Sequence, residues 1–207
     1  MDKSSSSEAD RIIDKATLLY AELGFDGTTT DMIAESARVD KAALRRLFPS
    51  SGALYRAVLN REMEAQEAAA AEPMATLAPT RQALERLVDS YLDFNIKRPE
   101  LMKLLQHRRT GDAADAADIE YQNLTPWLTW MTDKLHDAVP EPDYLEYLLW
   151  TIQWTIAGFF SHGVVYSDPL HQRPRGEPIP TAEVEEFREY LHYLMSRLFE
   201  LPEDGVS

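Results

Sequence analysis

From Tyr147 to Tyr166 the chain carries no charged residue over 20 positions. Few arrangements accept such a run: a membrane span, or a helix buried on more than one side. Thr151, Gln153, Thr155, Ser161, His162 and two glycines make it a poor span. No basic flank supports insertion either. The run therefore reads as a buried helix in a chain with no membrane partner. One side is expected to meet its own core and another a second subunit. Gly158 and Gly163 permit close approach there.

The other segments also read as helices. Ile12, Ala16, Leu19, Tyr20 and Leu23 recur at helical spacing, and Gly24 supplies a stop. Thr28-Thr29-Thr30 can cap a second helix, Asp31 to about Ala37. Asp40 caps a third, Lys41 to Leu47, which Pro49 closes. Ser50 or Ser51 opens a fourth, expected to end near Ala71, before Pro73. Met74–Pro79 reads as a joint. Beyond it come Thr80–Lys97, a helix begun by Pro99, about Asp115–Ala138 with Pro126 inside, about Tyr144–Tyr166, and Thr181–Glu200. The proline-rich loop Ser167–Pro180 precedes the last. There is no β alternation and no internal repeat. The expected fold class is all-α with about nine helices. Residues 1–9 read as a flexible tail, 10–56 as a small three-helix domain, and 57–207 as a larger α-helical domain.

A net charge of −14 on 207 residues would normally exclude a nucleic-acid partner. The distribution reverses that. Residues 1–61 hold nine basic and nine acidic groups, so the remainder carries the whole deficit. Within Arg38–Arg61 six basic residues face Asp40 alone. A local basic island on an acidic chain suggests a dedicated anion-binding surface.

That island overlaps the layout of a helix-turn-helix, Asp31–Leu47. Ile33, Ala34, Ala37, Val39, Leu44 and Phe48 are placed to pack the two helices together. Ala42 and Ala43 keep the N-terminal end of the short helix small, as entry into a major groove requires. Lys41, Arg45 and Arg46 flank it and can reach phosphates or guanine edges. Thr28, Thr29, Arg38, Asp40 and Ser51 complete the expected DNA-contact set.

The stretch from Ile12 to Leu59 resembles the DNA-binding domain of the tetracycline-repressor (TetR) family. The resemblance is carried by Ala21-Glu22-Leu23-Gly24-Phe25, Thr28-Thr29, Ile33-Ala34, Ala37, Val39, Lys41, Leu44, Phe48-Pro49-Ser50 and Leu54. It covers a bit over a quarter of the chain. It implies that residues 10–56 are a helix-turn-helix DNA-binding domain for a double-stranded DNA operator. It also implies that 57–207 are a regulatory domain for dimerisation as a homodimer and for ligand binding, the ligand being a small-molecule effector. Departures fall inside the reader. The family's turn glycine is Arg38 here, its capping serine is Asp40, its recognition-helix Tyr and His are Arg45 and Leu47, and the lysine opening the fourth helix is Ser51.

No catalytic or metal chemistry emerges. The five histidines have no i, i+3 or i, i+4 pair, and there is no cysteine. No phosphate loop or nucleophile elbow is present. The chain is read as a non-enzyme without a cofactor or metal. Zero cysteine fits a reducing cytoplasm. The second domain is rich in aromatics with a few polar groups among them, the composition of a small-molecule cavity. Phe94, His107, Trp127, Trp130, Met131, Gln153 and Trp154 are its candidate lining. Phe159, Phe160, Phe187, Leu191, Leu194 and Leu198 are the candidate dimer interface. The reading is a ligand-responsive transcriptional repressor. Its rival is an interaction protein of the same fold without a specific operator.

Overall fold

The computed structural model describes residues 3–112, 118–164, 167–168 and 177–204. The first residues of the expected Asp115–Ala138 helix, most of the 167–180 loop with His171, and Tyr166 lie outside them. Among the described residues there are nine α-helices and no strand. They are α1 (Lys3–Leu23), α2 (Thr30–Ala37), α3 (Lys41–Leu47), α4 (Ser51–Ala75), α5 (Arg81–Lys97), α6 (Glu100–Arg109), α7 (Asp118–Leu135), α8 (Leu145–His162) and α9 (Thr181–Leu198). The all-α expectation holds. No helix among the described residues is long and apolar enough to cross a membrane.

Several boundaries differ from expectation. α8 ends at His162, before Gly163 at φ 64°, instead of running to Tyr166, and α7 ends at Leu135 instead of Ala138. α1 begins at Lys3, so residues 3–9 are helical rather than a tail. The Ser-rich start contains no glycine or proline to stop the helix, and Glu8 reaches Arg46 at 3.6 Å. α4 runs through Pro73 to Ala75 instead of ending before it. A proline so near the helix end removes a single ladder bond. The backbone bonds Thr76 N–H to Glu72 O and Leu77 N–H to Met74 O close the turn around it.

By packing the chain divides into two units. Unit 1 is Met1–Ala68 with Phe94–Thr125, and unit 2 is Ala69–Asp93 with Pro126–Ser207. The division differs from a single cut after residue 56, because Phe94, Leu101 and Leu104 join the core of α1–α4. That core holds Ile12, Ala16 and Tyr20 of α1, Ile33 and Ala37 of α2, Leu44 of α3, and Leu54, Tyr55 and Val58 of α4. The rings of Tyr20 and Tyr55 meet edge-on at 5.0 Å, and Phe25 lies 5.0 Å from Tyr55. Burial, and then the neighbouring Tyr55, pushes the Tyr20 phenol above its usual range, so it stays neutral.

In unit 2, α8 and α9 pack through Phe159 and Phe187, whose rings stack 3.8 Å apart. Phe159, Phe187 and Leu191 were expected at a subunit interface; all three are buried inside this protomer. Phe159 and Phe187 spend their rings on each other, so those rings are not available to a partner. Phe160, Leu194 and Leu198 are half-buried. The surface left outside is aromatic instead: Tyr147 (67% exposed) and Trp154 (51%) on α8, Tyr190 (49%) and Tyr193 (57%) on α9. On the opposite side Arg188 donates to Asp89 at 2.8 Å and Asp93 at 2.6 Å, and His192 Nε2 lies 2.9 Å from Asp89.

The segment after α9 returns to the start of α5. Pro202 O accepts the Arg81 N–H at 2.8 Å. Glu203 pairs with Arg81, and Asp204 takes the Thr80 hydroxyl and Arg86. The Thr80 hydroxyl first, and then Arg86, holds the Asp204 carboxyl below its usual range.

Candidate nucleic-acid interface

The reader is built from its turns. Thr28 is buried, and its hydroxyl donates to Gly24 O at 2.7 Å and Leu19 O at 3.3 Å. A Cβ at Gly27 would stand 2.2 Å from Leu23 O, so only glycine lets this turn close. Thr29 then caps α2 by accepting the Met32 N–H at 3.2 Å.

α2 ends at Arg38, which is left-handed at φ 52°, ψ 49°. The Val39 N–H reaches back to Ala34 O at 3.0 Å, as in a Schellman stop. Arg11 adds a second clamp, its Nε donating to Ala37 O at 2.9 Å. Asp40 caps α3 by accepting the Ala43 N–H at 2.7 Å. Lys41 and Asp31 pair at 2.7 Å and join the starts of the two helices. Residues 30–47 are therefore a helix-turn-helix fixed at each end by a named contact.

α3 is two-sided. Ala43 and Leu44 face the core. Lys41, Ala42, Arg45 and Arg46 are exposed. Lys41 and Arg46 are engaged by Asp31 and Glu8. Arg38 and Arg45 are exposed with no ion pair among the described residues. A helix about 10–12 Å across fits a major groove about 12 Å wide, provided the leading end is slim. Ala42 supplies that end, with cations on the rim.

The expected contact set separates accordingly. Thr28 and Ala43 are spent on the interior, because the turn needs the hydroxyl and the core needs the methyl. Asp40 is spent on its cap. Ser51 is the first residue of α4, while the Ser50 hydroxyl accepts the Ala53 N–H at 3.1 Å. Thr29, Arg38, Lys41, Ala42, Arg45 and Arg46 share the exposed side. Sequence reasoning missed Arg11, whose partner lies 26 residues away and leaves no local signature.

Arg38 departs from what backbone sterics favour. A left-handed non-glycine residue costs about 1–2 kcal/mol, and glycine returns part of that through the freer unfolded chain. Arg38→Gly is expected to stabilise the protein by about 0.5–1 kcal/mol in urea unfolding, net of those two effects. The same change should weaken DNA binding by removing the exposed guanidinium. A variant both less stable and equally tight would show that the arginine is held by other contacts.

The expected effector set divides between the units. Phe94 is buried in the unit 1 core, and His107 Nε2 sits 3.1 Å from Ala21 O. Trp127, Trp130, Met131, Gln153 and Trp154 belong to unit 2. There Met131 is fully buried, while Trp154 stacks on Trp150 with centroids 6.0 Å apart and is half exposed. No metal-binding group of His, Asp or Glu occurs among the described residues.

Residues 12–58 match the family model of bacterial regulatory proteins of the tetR family. Over 46 residues the chain is 48% identical to IcaR of Staphylococcus aureus, the negative transcriptional regulator of the biofilm operon icaADBC. That match spans 22% of this chain and a quarter of the length of IcaR. A longer match, 29% identical over 164 residues, joins it to the HTH-type transcriptional regulator RutR of Escherichia coli O157:H7 and covers 74% of this chain and 76% of that one. The fold is similar to that of AibR, solved in complex with isovaleryl coenzyme A and operator DNA, with a TM-score of 0.68 and 15% identity. That likeness covers 94% of this chain and 99% of AibR.

Proposed function

We propose that the chain, a member of the TetR family of bacterial regulatory proteins, is a DNA-binding transcriptional regulator. It acts as a homodimer on a palindromic operator and is released by a small-molecule effector. The observation that carries this is the exposed face of α3, capped at its start by Asp40 and rimmed by Lys41, Arg45 and Arg46. The acidic remainder repels phosphate, so the duplex meets the chain at its neutral end.

The homodimer is supported by the large aromatics that α8 and α9 leave exposed, Tyr147, Trp154, Tyr190 and Tyr193. The effector is assigned to residues 57–207, with Trp127, Trp130, Met131 and Gln153 as its candidate contacts. AibR, similar in fold, binds both an acyl coenzyme A and operator DNA, which supports two separate sites here. Repression as the outcome is supported by the negative regulator IcaR.

The test is binding to a duplex selected from random DNA by the full chain. Arg45→Ala is expected to weaken it and to lower the logarithmic salt slope by about one, as loss of one phosphate contact does. Lys41→Ala should do the same, and circular dichroism should show both variants folded. No sequence preference in the wild-type selection would instead favour an interaction protein without an operator.

A further inference from the structure

We propose that Asp112 is a positioning residue for operator binding: it holds the α1–α2 turn in place without contacting DNA. The proposal rests on the DNA-binding reading above. Its carboxylate accepts two successive backbone N–H groups, Phe25 at 2.6 Å and Asp26 at 2.9 Å. They come from residues 87 and 86 positions earlier in the chain. Gly24 makes the pair converge. Its φ of 73° is left-handed, and consecutive N–H groups after such a residue form an anion-binding nest.

Asp112 does not act alone. On the preceding α6, Lys103 pairs with Glu22, and His107 Nε2 meets Ala21 O at 3.1 Å. Three side chains from this one stretch therefore end on the last turn of α1 and the turn after it. The fit leaves no spare room: a Cβ on Gly24 would stand 3.1 Å from Asp112 Oδ2 and 3.3 Å from His107 Nδ1. Beyond the turn lie the Thr28 and Thr29 contacts that start α2, and α2 carries α3 with it through Ile33, Ala37 and Leu44. Releasing the turn frees α2–α3 to tilt against α1. A carboxylate gains nothing from phosphate, so any effect of Asp112 on DNA passes through the turn.

The experiment compares Asp112→Asn, Asp112→Glu and Gly24→Ala in the full chain, on the selected duplex. The amide nitrogen of Asn cannot accept, so one of the two N–H bonds is lost. Asp112→Asn is expected to weaken binding about tenfold or more, with an unchanged salt slope and a melting temperature close to wild type. Hydrogen exchange at Phe25 and Asp26 should accelerate while exchange in the α4 core does not. Asp112→Glu should recover part of the affinity, and Gly24→Ala should reproduce the loss. Wild-type affinity in Asp112→Asn, or unaltered exchange at those two amides, overturns the proposal. So does a loss of affinity matched by a general loss of protection, since Asp112 would then be supporting the fold alone. Failure of the wild-type chain to select any sequence would instead remove the reading on which the proposal rests.

Discussion

Tyr193→Glu is expected to leave each protomer folded and to make the protein monomeric at micromolar concentration in sedimentation. Tyr193 and Tyr190 project from α9 and Tyr147 and Trp154 from α8, each about half exposed or more. Gly158 continues the α8 face from Trp154, and a Cβ there would meet nothing within 4 Å. Four large aromatics beside an open glycine make a surface another helix pair can approach. In a two-fold interface each residue near the axis meets its own counterpart or a close neighbour. A glutamate at 193 would thus bring two like charges into a desolvated patch, a cost of several kcal/mol. That corresponds to a dimer dissociation constant raised roughly a hundredfold or more. Operator affinity should collapse with it, because two half-sites about 34–36 Å apart need two linked readers. Leu191→Glu is the contrasting variant. Leu191 is fully buried in the protomer, so that change should unfold the protein. A Tyr193→Glu dimer as tight as wild type would place the interface elsewhere.

Arg98→Ala should cost about 3 kcal/mol of stability, read from urea unfolding, by stranding a buried charge. Glu62 lies inside unit 1 with none of its surface exposed. Arg98 Nη2 donates to its Oε1 at 2.8 Å. Arg61 Nε is 3.9 Å from the same oxygen and softens the loss, as does the 43% exposure of the Arg98 side chain. Removing the carboxylate's charge should reverse most of the damage. The pair Arg98→Ala with Glu62→Gln is therefore expected to be more stable than Arg98→Ala alone, a coupling that a double-mutant cycle measures directly. Equal stability of the single and double variants would mean that Glu62 is satisfied without Arg98.

These two cases also mark where sequence was readable. The reader was legible because its determinants are local: Thr29 and Asp40 cap helices that start one residue later, and a left-handed backbone at position 38 follows from the family's glycine there. The uncharged run from Tyr147 told of burial but not of direction. Phe159 points inward to Phe187 while Trp154, five positions earlier, faces out. Hydrophobicity does not distinguish those two rings; only the crossing with α9 does. Glu62 sits in a run rich in Glu and Ala that gives no sign of burial, and Arg98 lies 36 residues away. Asp112, Asp115 and Asp118 alternate with alanines and read as a solvated loop or helix face. In both cases the deciding partner is fixed by tertiary packing rather than by spacing.

The return of the final segment to the start of α5 bears on how the molecule is made. Thr80 waits for Asp204 across 124 residues. At about 5–20 residues per second on the ribosome, that gap lasts roughly 6 to 25 s. Residues 69–93 emerge long before their companions in 126–207, so Leu84, Leu87, Val88 and Leu92 leave the exit tunnel with their apolar sides uncovered. α1 to α3, whose contacts are short in sequence, can form meanwhile. The nascent chain thus carries an early organised head and a late, sticky middle. Conditions that slow translation, or that withhold chaperones, should lower the yield of folded protein more than its final stability would indicate.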